Sequence, residues 1–397
     1  MRHQKITTTV RAGIDTDVQH GAVMPPVYLS TNFNFAGLGE QREYDYSRSG
    51  NPTRDLLADA ISQLEGGQGA VVTNTGMSAV VLVTYLLGAN DTLIAPHNCY
   101  GGCYRAFSSL AGAGRFKVRF ADFTQPGSIR KLCLRERPKM IWLETPSNPL
   151  LRVTDIDAMA DIAHEFGALL VVDNTFLTPL LQQPLSLGAD IVVHSTTKYI
   201  NGHSDVVGGA VVARTPSLVE ELAWWANCVG STASAWDSAQ TMRGLRTLHA
   251  RLRCHEENAQ AIARALEHHD AVSRVYYPGL VSHPDHRLAR SQQSGFGGII
   301  SFELAGGERS VEAFLSGLKC FTLAESLGGV ESLVCHPATM THAAMTEEAQ
   351  LDAGIGPALL RLSVGIEHMP DLLGDIARGL ERVQKLVSVP LKMACSA

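Results

Sequence analysis

No stretch of this 397-residue chain reaches the roughly 18 uninterrupted apolar residues of a membrane-crossing helix. The start, Met1 to Arg11, is polar and basic without an apolar core, so no secretory signal is expected there. No CxxC occurs. The eight cysteines are scattered and only Cys99 and Cys103 are close, which supports neither a zinc site nor a disulfide framework. Reduced thiols in the cytoplasm are the simplest expectation. No basic run stands out and the formal charge is −6, which argues against nucleic acid as a partner. Neither a G-x-G-x-x-G nor a P-loop is present, and there is no internal repeat or low-complexity tract. What remains is 45% hydrophobic and 18% charged, as in a soluble globular enzyme large enough for two or three packed subdomains.

The chain is expected in three parts. Residues 1–60 carry Gly, Pro, Asn and Thr with little periodicity, as in Met24-Pro25-Pro26 and Ser49-Gly50-Asn51-Pro52. Such a segment is expected to lack regular structure and to wrap onto another body or subunit. Residues 61–250 alternate apolar runs with helical stretches such as Asp155 to Phe166. The runs lie at Ala70–Thr73, Thr92–Ala95, Lys117–Phe120, Met140–Glu144, Leu169–Asp173, Ile191–His194 and Gly208–Ala213. Seven such strands predict a mostly parallel sheet covered on both faces, hence an α/β fold. Residues 251–397 open with a long helix and then mix strand-like runs with helices, predicting a smaller α+β domain.

Lys198 and Asp173 each follow an apolar run that reads as a buried strand. Open α/β sheets bind ligands at the carboxyl ends of their strands. A lysine there can be a solvated loop charge and an aspartate a helix cap. Together with the hydroxyls of Ser195-Thr196-Thr197, they suit pyridoxal phosphate. That cofactor needs an amine for its aldehyde, an acid for its pyridine nitrogen and hydroxyls for its phosphate.

Other residues add parts to that site. Thr75-Gly76-Met77-Ser78 joins a strand to a helix, where free N–H groups and a positive dipole end suit a phosphate, or where glycine serves only the turn. Tyr100 stands beside Gly101 and Gly102 at a strand exit and could stack on a flat ring or pack in a loop. Arg361 interrupts an apolar run, either to grip a carboxylate or to point to water from an edge strand. Tyr46 and Arg48 could be solvated arm residues, and Glu325 a turn acid. His194, His203, His336 and His342 show no metal-ligand spacing and read as core or loop histidines. No metal is expected.

These residues fall in motifs that together resemble the Cys/Met-metabolism family of pyridoxal-phosphate enzymes, of the fold-type-I, aspartate-aminotransferase-like class. The motifs run from Tyr46-Ser-Arg48-Ser-Gly-Asn-Pro-Thr-Arg54 through Asn74-Thr-Gly-Met-Ser-Ala79, Glu144-Thr-Pro-Ser-Asn-Pro149 and Val172-Asp-Asn-Thr175. They continue through Ser195-Thr-Thr-Lys-Tyr199, Asn201-Gly-His203 and Ala324-Glu-Ser-Leu-Gly-Gly-Val-Glu-Ser332. Within the family, Leu222-Ala-Trp-Trp-Ala-Asn227, Met242-Arg-Gly-Leu-Arg-Thr-Leu248 and Ala338-Thr-Met-Thr-His342 are most similar to bacterial cystathionine γ-synthases.

The resemblance implies roles. Lys198 would join the cofactor aldehyde and later move protons, Asp173 would pair with the pyridine nitrogen, and Tyr100 would stack on the ring. Gly76, Met77, Ser195 and Thr197 would hold the phosphate, with Tyr46 and Arg48 reaching it from a neighbouring subunit. Arg361 would clamp the substrate α-carboxylate near Asn148 and Ser326, while Arg105 and Glu325 would read the distal ends of the substrates. A homotetramer built from dimers with shared sites is implied, with small amino acids as the only other partners.

The implied reaction is γ-replacement. O-Succinylhomoserine, or its acetyl analogue, and L-cysteine would give L-cystathionine in transsulfuration and methionine biosynthesis. Ser49 departs from synthases that carry a second arginine there, and leaves the acyl group open. Gly102 stands where methionine γ-lyases carry cysteine. Cystathionine γ-lyase is the nearest alternative, and a non-catalytic phosphate-binding α/β module is an alternative of another class.

Overall fold

A computed structural model describes residues 4–343 and 345–388. The chain divides into two compact units. The first comprises the residues up to Asn148, Arg152–Leu252 and Arg290–Gly295, and the second Pro149–Leu151, Arg253–Ala289 and the residues from Phe296 onward.

The first unit is built on a seven-stranded sheet. Its strands are β1 (Gly69–Thr73), β2 (Thr92–Pro96), β3 (Lys117–Ala121), β4 (Met140–Glu144), β5 (Leu169–Asp173), β6 (Ile191–His194) and β7 (Gly209–Ala213). They lie in the order β1-β7-β6-β5-β4-β2-β3. Strands β6, β5, β4, β2 and β3 pair in parallel, and only β7 runs antiparallel to both its neighbours. The fold is thus α/β with a mostly parallel sheet. Sequence dictates the layering: β2, β4 and β6 are buried along their whole length, which requires unbroken apolar runs. β3 ends the order and exposes Lys117 and Arg119, charges that discourage edge-to-edge pairing. Parallel pairing brings the C-terminal ends of β4, β5 and β6 to one edge, with Glu144 opposite Asp173 and Asp173 opposite Val193.

The first 60 residues are not devoid of regular structure, contrary to the sequence expectation. Helices span Lys5–Val10 and Pro52–Glu65. The second begins where Asn51 caps it, its side chain accepting from the Thr53 and Arg54 amides, with Pro52 in the first turn. Between the two helices only isolated bridges occur, such as Asn32 with Tyr46. Val18, Leu29, Phe35 and Leu38 are exposed there.

The second unit holds a five-stranded sheet of β8 (Val272–Tyr276), β9 (Ile299–Leu304), β10 (Thr322–Leu323), β11 (Leu333–Cys335) and β12 (Leu359–Ser363), ordered β10-β11-β12-β9-β8. Helix Met369–Ser388 places Leu372, Ile376, Leu380 and Val383 on one face, and these share a core with Phe302, Phe314, Leu360 and Leu362. Among the described residues no helix is long and apolar enough to cross a membrane.

Candidate active site

Two strand exits form the floor of the site. At the end of β5, the Thr175 amide donates to Asp173 Oδ1 at 3.0 Å. Burial pushes the Asp173 carboxyl up from its ordinary range, while bonds from Thr175 and the field of His194 oppose the rise. A carboxylate so placed gains by meeting a cation. The Thr175 hydroxyl in turn accepts from the Ser195 amide at 2.9 Å and ties the exit of β5 to that of β6.

Lys198 follows β6 on a tight turn. Its amide donates to the Ser195 carbonyl at 3.2 Å and its carbonyl accepts from the Gly202 amide at 2.8 Å. The side chain is half-buried. The Thr197 hydroxyl accepts from the Gly208 amide at 2.9 Å, so the loop is closed on its far side as well.

Helix Gly76–Thr84 presents its N-terminus to this loop. The Thr75 hydroxyl caps it by accepting from the Ser78 amide at 2.8 Å. A Cβ on Gly76 would fall 2.7 Å from Ser195 Oγ, so only glycine lets the helix end come this close to the hydroxyl. The first amides of a helix have no partner within it, and with the Ser195 hydroxyl they make a cradle for an anion.

Tyr100 caps helix Gly101–Gly112, and its amide donates to Glu144 Oε2 at 2.7 Å. Glu144 Oε1 accepts from the Asn148 amide at 3.0 Å. One buried acid therefore sets the positions of both residues. Tyr100 is 41% exposed. A Cβ at Gly102 would lie 2.5 Å from that ring and 2.9 Å from Met77 Sδ, which accounts for glycine at this position.

The chemistry of this donor set fits pyridoxal phosphate: an amine, a carboxylate held in low dielectric, a helix-end cradle with hydroxyls and an exposed aromatic face. Arg48 donates to the Asn227 carbonyl at 2.7 Å and to Asn227 Oδ1 at 2.6 Å, with its guanidinium 5.7 Å from the Tyr46 ring centre. Arg105 is exposed on helix Gly101–Gly112. In the second unit, Arg361 is buried in β12 and donates to the Ser326 carbonyl at 2.8 Å. Ser326 adopts φ 90°, a left-handed backbone that costs a non-glycine residue about 1–3 kcal/mol. Exposed Glu325 directly precedes it.

Sequence reasoning missed Thr175 as a link, Glu144 as an anchor and Glu65. His194 is a core histidine, as its sequence setting predicts. It is buried, and its Nε2 lies 2.6 Å from Glu65 Oε1.

Comparison with known proteins agrees with this reading. Cystathionine gamma-synthase from Escherichia coli strain K12 is 53% identical over 386 residues, covering 97% of this chain and 100% of that one. Cystathionine gamma-lyase from Bacillus subtilis strain 168 is 45% identical over 380 residues, covering 96% and 100%. The crystal structure of cystathionine gamma synthase from Xanthomonas oryzae pv. oryzae, in complex with aminoacrylate and cysteine, superimposes with a TM-score of 0.95. That protein is 58% identical, covering 97% of this chain and 100% of its own. A family model for Cys/Met metabolism PLP-dependent enzymes matches residues 6–381. A non-catalytic binding module is thereby set aside, and the chain belongs to the Cys/Met metabolism family of enzymes, with pyridoxal phosphate as their cofactor and the fold-type-I architecture.

Proposed function

We propose that the chain is a cystathionine γ-synthase. It would replace the γ-ester of O-succinylhomoserine, or of the acetyl analogue, with the sulfur of L-cysteine. The observation that carries this reading is the pattern of identity. Two γ-synthases match at 53% and 58%, and a γ-lyase at 45%. The lyase remains the second reading because Ser49 lacks the charge suited to a succinyl carboxylate.

When bound, pyridoxal phosphate supplies an aldehyde that captures the substrate amine and a ring that draws electrons from Cα. The chain's residues would do the rest. Lys198 Nζ would take the proton from Cα and return protons later. Asp173 would hold a proton on the ring nitrogen by offering it a buried anion. The Gly76 and Met77 amides and the Ser195 and Thr197 hydroxyls would bind the phosphate. Tyr100 would lie against the ring, held by Glu144. Arg361 would grip the substrate carboxylate by two parallel bonds, assisted by Asn148 and the chain at Ser326. Arg105 and Glu325 would sort the distal ends, a carboxylate pairing with an ammonium.

Product partition tests the assignment. A thiolate held at the site has a high effective molarity and should outcompete hydrolysis of the four-carbon skeleton to 2-oxobutyrate and ammonia. Raising cysteine should therefore raise the ratio of cystathionine to 2-oxobutyrate. Glu325→Ala should lower that ratio about tenfold at fixed cysteine, with less effect on ester use. If the unsubstituted enzyme cleaves cystathionine faster than it makes it with every ester supplied, the lyase reading replaces this one.

The arm motivates a shared site. It leaves Val18, Leu29, Phe35 and Leu38 exposed, side chains that a neighbouring subunit would cover. Tyr46 and Arg48 would reach a phosphate in the neighbouring subunit, within a homotetramer built from dimers in the cytoplasm. Mixing Arg48→Ala with Lys198→Ala should then regenerate activity, since a hybrid dimer holds one site with both residues intact. No recovery after verified subunit exchange rules out sharing.

A further inference from the structure

A polar network lies buried on the far side of the strand ends that carry the site. Neighbouring residues of a strand point to opposite faces, so Asn174 and His194 turn away from the face that Asp173 presents. Glu65, the last residue of helix Pro52–Glu65, reaches both. Its Oε1 accepts from His194 Nε2 at 2.6 Å and from Asn174 Nδ2 at 2.9 Å. The side chains of Glu65 and His194 are fully buried. Among the described residues His194 Nδ1 meets no hydrogen-bond partner, so Glu65 alone holds the ring by hydrogen bonding.

The network continues beneath β4. Gln182 Nε2 donates to Asn174 Oδ1 at 3.0 Å and to the Thr145 carbonyl at 2.9 Å. Asn174 Nδ2 also donates to the Gln182 carbonyl at 3.0 Å. Three of the bonded residues adjoin the site: Thr145 follows Glu144, Asn174 follows Asp173, and His194 precedes Ser195. No residue of this network faces the cofactor in the chemistry described above. Burying polar groups is unfavourable unless they are satisfied, and among the described residues Glu65 Oε2 and His194 Nδ1 meet no hydrogen-bond partner, so the network is costly to the fold.

We propose that Glu65 is a positioning residue. Its Oε1 brackets the exits of β5 and β6 and thereby sets the placement of Asp173 relative to Lys198. The acceptor bonds, not the negative charge, are what the bracket supplies. The role holds whichever reaction of the family the chain performs, because it concerns cofactor and lysine alone.

Three variants test it, studied as holoenzyme in the reaction the unsubstituted enzyme catalyses best. Glu65→Gln keeps an oxygen that can accept from both donors. It should retain kcat within threefold and leave the circular-dichroism band of the bound cofactor unchanged. Glu65→Leu should lower kcat about ten- to a hundredfold, the scale of a small misplacement of reacting groups. The KM for the amino acid should stay within threefold, and the cofactor band should shrink. Glu65→Leu with His194→Leu removes both polar partners, so stability should recover while kcat stays low. A folded double variant with kcat within threefold and an unaltered cofactor band shows the network to be structural only and overturns the proposal. If neither leucine variant folds, Glu65→Gln decides. Retained kcat and band support the bracket, and a tenfold loss in a folded protein overturns it.

Discussion

Lys198→Ala should fold and bind cofactor, yet turn over about 10³- to 10⁴-fold more slowly than the unsubstituted enzyme. The lysine is half-buried on a turn held by backbone bonds, between the Lys198 amide and Ser195 and between Gly202 and the Lys198 carbonyl, which alanine also makes. Stability should therefore change little. What is lost is the amine that captures the aldehyde and moves protons at Cα. The cofactor would be kept by noncovalent contacts alone, and should wash out on dialysis where the unsubstituted protein retains it. Steady-state kinetics, thermal unfolding and cofactor content measured after dialysis check all three points. Turnover within tenfold of normal would mean that another group is the base and that Lys198 has been misassigned.

Asp173→Asn should cost about 10²-fold in kcat/KM. The change is nearly isosteric, so packing survives and the fall reports charge. A buried charge-assisted bond is worth about 3 kcal/mol, which is about two factors of ten. The pH dependence has a definite sign. Burial raises the Asp173 carboxyl, so in the cofactor-free protein it gains a proton at a higher pH than an ordinary aspartate as the solution is acidified. Capture of pyridoxal phosphate by that protein should weaken on the acid side for this reason, and the asparagine variant should lose that component of the profile. Fluorescence titration of cofactor across pH measures it. If the variant keeps kcat/KM within threefold and an unchanged profile, Asp173 does not serve the ring nitrogen.

The central strands were legible because a strand covered on both faces must be apolar throughout. Thr92–Ala95, Met140–Glu144 and Ile191–His194 leave little choice of structure, and the observed strands coincide with them to within a residue. Lys198 and Asp173 were legible for a related reason: each is a polar residue placed where such a run stops. Helix Pro52–Glu65 was not expected. Asn51-Pro52 reads as one more turn among the Gly, Pro and Ser around it, although a cap residue followed by proline also opens helices. Its buried face also carries Arg54, Ser62 and Glu65, which breaks the apolar period that would have announced it. Thr175 and Glu144 act by accepting backbone amides from residues far along the chain, Ser195 and Tyr100. No local pattern encodes such a meeting. The left-handed backbone at Ser326 is equally silent, since serine carries no signal for it.

Helix Pro52–Glu65 also bears on how this chain can be recombined with its relatives. Its 14 residues make a rod about 21 Å long. Near one end, Arg54 donates to the Ser47 carbonyl at 2.7 Å and to the Arg48 carbonyl at 3.3 Å. At the other end Glu65 sits on Asn174 and His194. The loop bearing Arg48 and the acid beneath the strand exits are thus cut from one rigid piece. A chimera joined anywhere between Ser47 and Glu65 would inherit its loop from one parent and its seating from the other. Crossovers before Ser47 or after Gly66 keep the helix and its loop in one piece.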